Sequence, residues 1–561
     1  MIFMDENTKK SLDFQYILNN ISTLTPYGMM YKGRLKAYEQ KEELIQELDK
    51  LEAILSAVEN KTLRKEFNNI FAHIKDLRTS VRRAMEGFIL TEVELFEIKN
   101  FLFLIKDLYK LIEENTIPVF HDTKITPIES LEKILDPENT GISTFYIYDA
   151  YSEDLREIRE KKRNYDKEIR LEKKTIKEKL EKQLSTNLRP DSSLVIPKDD
   201  KELLEKVKEN PYLAYISETY MNIKFAIKPT EIMTKLEREV QILKDKEEKE
   251  ELRIRENLSK EIGKRRKEIF RNMASIGKLD LLLGKAKYAL DIRGIKPKIV
   301  DEHKIEIQEG IHPKVAEFLE EKNLKFTPIS IELKEGVTCI TGANMGGKTI
   351  SLKLVGLLSA MAQYALFVPA KKMTYGLNRF IKSSIGDMQS TDSGLSTFGG
   401  EIKVVQEAIS KAEERGLILI DELARGTNPE EGYAISKAIV AYLKGKNSIT
   451  LLTTHYDNVA NLDEVVHLQV VGLSKLDFED LALEITKEDK MDIINRYMDY
   501  RLRIVEKNTL VPKDALNIAK IMGLEGEILN LAEEYLGHGA PNSQGTGVST
   551  VPHKDSSFHS E

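Results

Sequence analysis

Gly342-Ala343-Asn344-Met345-Gly346-Gly347-Lys348-Thr349 stands between an apolar run, Gly336 to Thr341, and a helical pattern from Ile350 to Ala362. Glycines at this spacing let consecutive backbone N–H groups curl around phosphate oxygens. Lys348 can then neutralise the β and γ oxygens, and the Thr349 hydroxyl can reach Mg²⁺. A glycine-rich structural turn fits the short pattern too, but a strand before it and a helix after it are the context a phosphate loop requires. ATP with Mg²⁺ is therefore the first ligand this chain implies.

Two further strand-like runs carry polar residues at their ends. Gly416-Leu417-Ile418-Leu419-Ile420 runs into Asp421 and Glu422, and in a parallel sheet both acids would surface beside the phosphate loop. Asp421 would hold the water shell of Mg²⁺, and Glu422 would orient or deprotonate an attacking water. A strand ending in a solvated turn would look the same in isolation. The run Ser448 to Thr454 leads into His455, from which a side chain can sense or polarise a γ-phosphate.

Taken together, these segments resemble the ATPase domain of the MutS family, an ABC-type fold. The motifs are T-G-A-N-M-G-G-K-T from Thr341, S-G-L-S-T-F from Ser393 with Glu401 shortly after, L-I-D-E-L-A-R-G-T-N-P-E-E-G from Leu419, and T-T-H-Y from Thr453. They stand in the family's order. Within the family, Gly426 to Gly432 and Leu357 to Gln363 look more like the recombination-associated bacterial paralogue than the mismatch-recognising enzyme. The resemblance implies that Asn344 lines the nucleotide site and that Phe326 stacks on adenine. It implies a homodimer in which Ser396 and Thr397 approach the partner's γ-phosphate, so that one chain holds only part of each site.

Composition sets outer bounds. A chain of 561 residues is too long for one compact core, so several domains are expected. With 32% charged residues and no Trp it reads as helix-rich with much solvated surface. The single cysteine, Cys339, forbids an internal disulfide, suits a reducing cytoplasm, and is most simply a small core residue. The start lacks a basic segment followed by an apolar stretch, and no apolar run reaches about 18 residues, so neither export nor a membrane partner is expected.

Apolar residues at helical spacing from Leu12 to Leu111 predict an all-α first part matching the family's core and lever domain. Two charged helical arms follow, about Ser152 to Leu184 and Met233 to Asn272. Met233, Leu236, Val240 and Leu243 step by three, four and three, which favours a coiled seam between the arms. The expected fold is thus multidomain: an all-α core and lever domain (1–150) with coiled arms (151–190 and 233–298) and a reduced clamp tip (191–232), then an α/β ABC-type ATPase domain (299–490). Val466 to Gly472 and Leu481 to Lys487 read as its edge strands. A helical dimerisation segment (491–536), resembling the family's helix-turn-helix, and a disordered tail (537–561) end the chain. His538, His553 and His559 in that tail read as solvated residues.

The resemblance implies a DNA partner, and the charges bear on it. The tip carries Asp191, Asp199, Asp200, Glu202, Glu205, Glu209, Glu218 and Glu231 against six lysines (198, 201, 206, 208, 224, 228), so it is net acidic. Residues 151–190 carry thirteen bases and nine acids, a weakly basic surface. The tip also lacks the glycine-bearing clamp motif of the recombination-associated paralogue. Only about a dozen residues precede the core pattern and little follows the ATPase domain, so neither a mismatch-reading nor a terminal nuclease domain is expected. The reading is an ATP-dependent DNA-binding protein of repair or recombination control. The alternative is a motor that remodels a protein client, such as a cobalamin-dependent aminomutase, which an acidic tip would suit.

Overall fold

The computed structural model describes residues 2–342, 347–386, 397–424, 427–472, 499–505, 516, 519–520 and 522–538. The chain divides into two compact units. One comprises Thr23–Arg34 and Ala53–Gly284; the other comprises Met1–Ser22, Leu35–Glu52 and Lys285–Glu561.

The first unit is built on helices whose starts are written in the sequence. Thr91 caps the helix Glu92–Glu114: its hydroxyl accepts the N–H of Glu94 at 3.2 Å, and the Glu94 carboxylate accepts the N–H of Thr91 at 2.9 Å. Leu95, Ile98, Leu102, Ile105 and Leu108 then form the buried stripe of that helix. Ser152 and Thr230 cap the two long arm helices, Glu153–Leu184 and Glu231–Lys264. Along the second arm Met233, Val240 and Leu243 are buried. The arms run antiparallel, since Ser152 reaches Glu250 at 2.8 Å while Arg159 reaches back to Glu247 at 2.9 Å.

At the far end of the arms, in the expected clamp tip, the helices give way to strands. Strands β1 (Ser193–Pro197), β2 (Leu213–Glu218) and β3 (Asn222–Ile227) form an antiparallel sheet in the order β1-β3-β2. Ile223, Phe225 and Ile227 alternate inward with period two and pack with Leu194 and Ile196 on Ile176, Leu180 and Leu184 of the first arm. This period-two signal is present in the sequence but short, and long helical patterns flank it on both sides.

In the second unit, β4 (Lys298–Val300), β5 (Lys304–Gly310), β6 (Ile329–Lys334) and β8 (Lys372–Gly376) make one sheet in the order β4-β8-β5-β6. The other sheet contains β7 (Gly336–Thr341), β9 (Ile381–Ser384), β10 (Leu417–Ile420), β11 (Ile449–Thr453), β12 (Val466–Gly472) and β13 (Asp499–Ile504) in the order β13-β12-β7-β11-β10-β9. Every residue of β7, β10 and β11 is buried, as central parallel strands covered on both faces require. The helix Gly347–Gln363 follows β7 and lies so close that a Cβ on Gly356 would come within 2.6 Å of both Leu12 and Leu419. The opening helices of the chain pack in this unit: Ser11 meets Ser383 at 2.6 Å, and Asp5 meets Lys382 at 2.6 Å.

One expectation for the end of this sheet changes. Val466–Gly472 is not an edge strand, because β7 pairs with it on one side and the antiparallel β13 on the other. Leu481 to Lys487 lie outside the described residues. The segment expected to be helical (491–536) instead begins with the strand β13, and its helix Gly526–His538 runs two residues past 536 into the stretch expected to be disordered. Among the described residues no helix is long and apolar enough to cross a membrane.

Candidate active site

The parallel strands β7, β11 and β10 bring their C-terminal ends to one edge of the sheet, with Ile340 opposite Thr453 and Leu452 opposite Ile420. Residues that immediately follow these strands therefore meet there. At the end of β7 the chain turns through Gly342, whose φ of 123° is open only to glycine. The Lys348 ammonium donates to the carbonyl of Gly342 at 2.7 Å and lies 3.4 Å from Glu422 Oε1, with the lysine side chain only 3% exposed. It is thus drawn back over the start of its own helix.

One residue along, the Thr349 hydroxyl donates to Asp421, 2.9 Å from Oδ2 and 3.2 Å from Oδ1. Thr453 donates to the other side of the same carboxylate, 2.6 Å from Oδ1, while its oxygen accepts the N–H of Glu422 at 3.0 Å. Burial pushes the Asp421 carboxyl above its usual range; the two threonine hydroxyls pull it back, the neighbouring Glu422 pushes it up, and Lys348 pulls it down. A hydroxyl and a carboxylate in contact, both hard oxygen donors, are the set that Mg²⁺ takes when phosphate and water supply its remaining ligands. The donors present fit that ion.

Glu422 and Ala424 both adopt left-handed backbone, with φ of 48° and 63°. The turn therefore carries strain at the second of the two acids. Burial pushes the carboxyl of Glu401, in the helix Thr397–Ile409, up to about 7; the backbone N–H of Ala424 pulls it back, and the nearby Asp421 adds to the push. His455 follows β11 at the same edge, exposed, its ring 4.1 Å from that of Tyr456.

Beside the start of the helix Gly347–Gln363 lies a cleft of about 770 Å³ lined by Phe318, Leu319, Leu324, Phe326, Ile329, Gly347, Ile350 and Tyr500. Tyr500 comes from β13 and closes on Gly347 so nearly that a Cβ there would sit 2.9 Å from its ring. Largely apolar walls, three aromatic rings and the adjacent start of the Gly347–Gln363 helix suit a flat heterocycle joined to phosphates.

Residues 338–536 match the family model described as MutS domain V. The chain carries a MutS domain V. The similarity to known proteins extends well beyond that domain. A protein named endonuclease MutS2 from Caldanaerobacter subterraneus subsp. tengcongensis is 29% identical over 561 residues, covering 95% of this chain and 64% of that protein. The endonuclease MutS2 of Halothermothrix orenii is 29% identical over 489 residues, 81% of this chain and 58% of its own length. That of Shouchella clausii is 30% identical over 402 residues, 69% and 49%. This chain thus spans between about half and just under two thirds of the length of the curated relatives it matches.

Within MutS domain V, Lys348, Thr349, Asp421 and Glu422 come together with Gly342 and Gly347, and His455 shares their sheet edge. Phe326, which precedes the matched residues, lines the cleft. Ala343, Asn344, Met345, Gly346 and Ser396 lie outside the described residues, and Thr397 begins a helix. Sequence reasoning missed Thr453 and Tyr500. Thr453 was legible as the first residue of the T-T-H-Y motif, but Tyr500 had no signal beyond being an aromatic in a polar segment.

Proposed function

We propose that this chain binds ATP with Mg²⁺ at the C-terminal edge of the parallel sheet and hydrolyses it as a dimeric MutS-type motor acting on DNA in repair or recombination control. The observation that carries this reading is the convergence of Thr349 and Thr453 on one carboxylate, Asp421, with Lys348 and Glu422 in contact beside it. Lys348 would exchange the Gly342 carbonyl for β and γ oxygens, and the N–H groups at the start of its helix would meet the same charge. Phe326 and Tyr500 would hold the base. Thr349 and Asp421 would hold Mg²⁺, which when bound neutralises charge developing on the phosphates. Glu422 would orient an attacking water and take its proton, and His455 would report on the γ-phosphate. Ser396 and Thr397 would act on the partner's nucleotide, so that turnover depends on the dimer.

DNA is the load favoured by the name of the relatives. Three lysines of the tip are already paired within it, Lys224 with Asp191 at 3.1 Å, Lys198 with Glu218 at 3.6 Å and Lys206 with Glu202 at 2.7 Å. The first arm, with its excess of bases, is therefore the better surface for phosphates. The test is steady-state ATP turnover with homoduplex, four-way junction and single-stranded DNA, binding being followed in parallel. Junction-dependent binding or a clear change in turnover supports the reading, and turnover indifferent to every DNA points instead to a protein client. Lys348→Ala should weaken nucleotide binding, whereas Glu422→Ala should bind ATP and stall. Ser396→Ala should slow turnover in dimers that persist; unchanged turnover would remove the role across the dimer.

A further inference from the structure

Asp13 stands at the head of the helix Phe14–Asn20 but does not cap it. An aspartate there ordinarily turns its carboxylate back to the first N–H groups of its helix. Here the backbone is left-handed, with φ of 57°, and the carboxylate serves other elements. Its Oδ1 takes the Lys314 ammonium at 2.5 Å, and its Oδ2 takes that of Lys353 at 3.1 Å. Lys314 belongs to the helix Pro313–Glu321, whose Val315, Phe318 and Leu319 line the base cleft. Lys353 belongs to the helix Gly347–Gln363, whose Gly347 and Ile350 line it too. One carboxylate therefore ties together two walls of the same cleft.

The two helices are held very differently. Gly347–Gln363 is buried along most of its length, so close packing fixes it. Of Pro313–Glu321 only Pro313 is buried, and Phe318 is 53% exposed, so apolar contact does little to decide where that helix lies. Polar ties take over, Lys314 to Asp13 and Glu317 to Tyr16. The segment they reach is itself anchored on the packed helix. Leu12 and Phe14 are wholly buried; a Cβ on Gly356 would meet Leu12 at 2.6 Å, and the Phe14 ring lies 4.7 Å from that of Tyr364.

We propose that Asp13 is a positioning residue for nucleotide binding: it fastens the helix Pro313–Glu321 to the helix Gly347–Gln363 and so sets the width of the base cleft. This rests on the reading of that cleft as the seat of the base. Without the carboxylate, Lys314 and Lys353 are left with no anion between them, and the weakly packed helix shifts while the buried one stays. Lys348, Thr349, Asp421 and Glu422 keep their places, because the sheet and its packed helix hold them. The loss therefore falls on contacts to the base and spares the phosphates and the chemistry.

The experiment measures ATP affinity, KM and kcat for the full chain and for Asp13→Asn, Lys314→Gln, Lys314→Arg and the double variant Asp13→Asn with Lys314→Gln. Tripolyphosphate, which has the phosphates and no base, serves as competitor. Asparagine tolerates the left-handed backbone and keeps the size of the side chain, but its one oxygen and lack of charge cannot hold both lysines. Asp13→Asn should weaken ATP binding and raise KM by about fivefold, with kcat and inhibition by tripolyphosphate within about twofold. Lys314→Gln, at a half-exposed position, should do the same and serves in its place if Asp13→Asn does not fold. Lys314→Arg keeps the cation and should bind ATP as the parent does. The double variant should be no weaker than either single one. Parental ATP affinity in both single variants, an equal loss for tripolyphosphate, an arginine variant as weak as the glutamine one, or losses that add in the double variant each overturns the proposal. Parental affinity in Phe326→Ala is a separate failure, which takes the base out of the cleft and defeats the reading beneath the proposal.

Discussion

Thr453 gives its hydroxyl proton to Asp421 at 2.6 Å and so joins the end of β11 to the end of β10 at the point where both acids emerge. The same oxygen receives the N–H of Glu422, which leaves the hydroxyl one orientation. Thr453→Val preserves shape and removes both bonds. Turnover should fall by about tenfold, equivalent to roughly 1.5 kcal/mol for the lost hydrogen bonding, and Thr453→Ser should restore it. Steady-state ATPase rates for the two variants decide this, and a valine variant as fast as the parent would show that Asp421 is positioned without it.

The aromatic walls of the cleft divide binding from chemistry. Phe326→Ala and Tyr500→Ala should each raise KM for ATP by about tenfold, from about 1.4 kcal/mol of lost ring contact, with kcat nearly unchanged. Competition by GTP provides the second readout, since loss of a flat clamp should weaken both nucleotides alike. A fall in kcat with KM constant would place these rings elsewhere in the cycle.

His312 is wholly buried, and its ring nitrogens have no hydrogen-bond partner among the described residues. Burial lowers its pKa from 6.5 to about 4; Asp13, 3.9 Å away, opposes this, while Lys353 and Lys314 add to it. The folded state therefore binds fewer protons than the unfolded chain between those two values. The stability this provides is fully present above about pH 6.5 and is lost as pH falls towards 4, by at most about 3 kcal/mol. Urea unfolding followed from about pH 7 down to about pH 5 should show this slope, and His312→Phe should flatten it. An identical slope in the variant would mean that other groups carry it.

Arg159 is the hub of the arms, bonded to Asp149 at 2.6 Å, Glu247 at 2.9 Å and Glu251 at 2.7 Å. Its removal leaves Glu247 and Glu251 one turn apart, with less positive charge between them. Arg159→Ala should destabilise the arm pair by about 2 kcal/mol, less than a fully buried pair because its side chain is 20% exposed. Hydrogen exchange of amides near Glu247 should quicken accordingly. Unchanged exchange there would assign the pairing of the arms to the seam of Met233, Val240 and Leu243.

Much of this was legible in the chain. The phosphate loop, the acids after Ile420 and the arm helices announce themselves through local patterns: glycine spacing, a buried apolar run ending in charge, and capping residues followed by helical periodicity. The short period-two alternation at Ile223, Phe225 and Ile227 was just as local but was masked by the long helices around it. Strand neighbours were another matter, since Val466–Gly472 lies inside the sheet only because β13, distant in sequence, adds to its free side.

The sequence by itself determined the chemistry on offer, because a phosphate loop needs its glycines, lysine and threonine within one short stretch and a strand delivers its terminal acids wherever it ends. Which side chains meet was decided by the tertiary structure alone. Thr453 reaches Asp421, and Tyr500 joins Phe326 in lining the cleft, only once parallel strands have been ordered β12-β7-β11-β10 and packed against helices. That order is set by the burial of whole sheet faces and by long-range pairing, and no local run of residues encodes it.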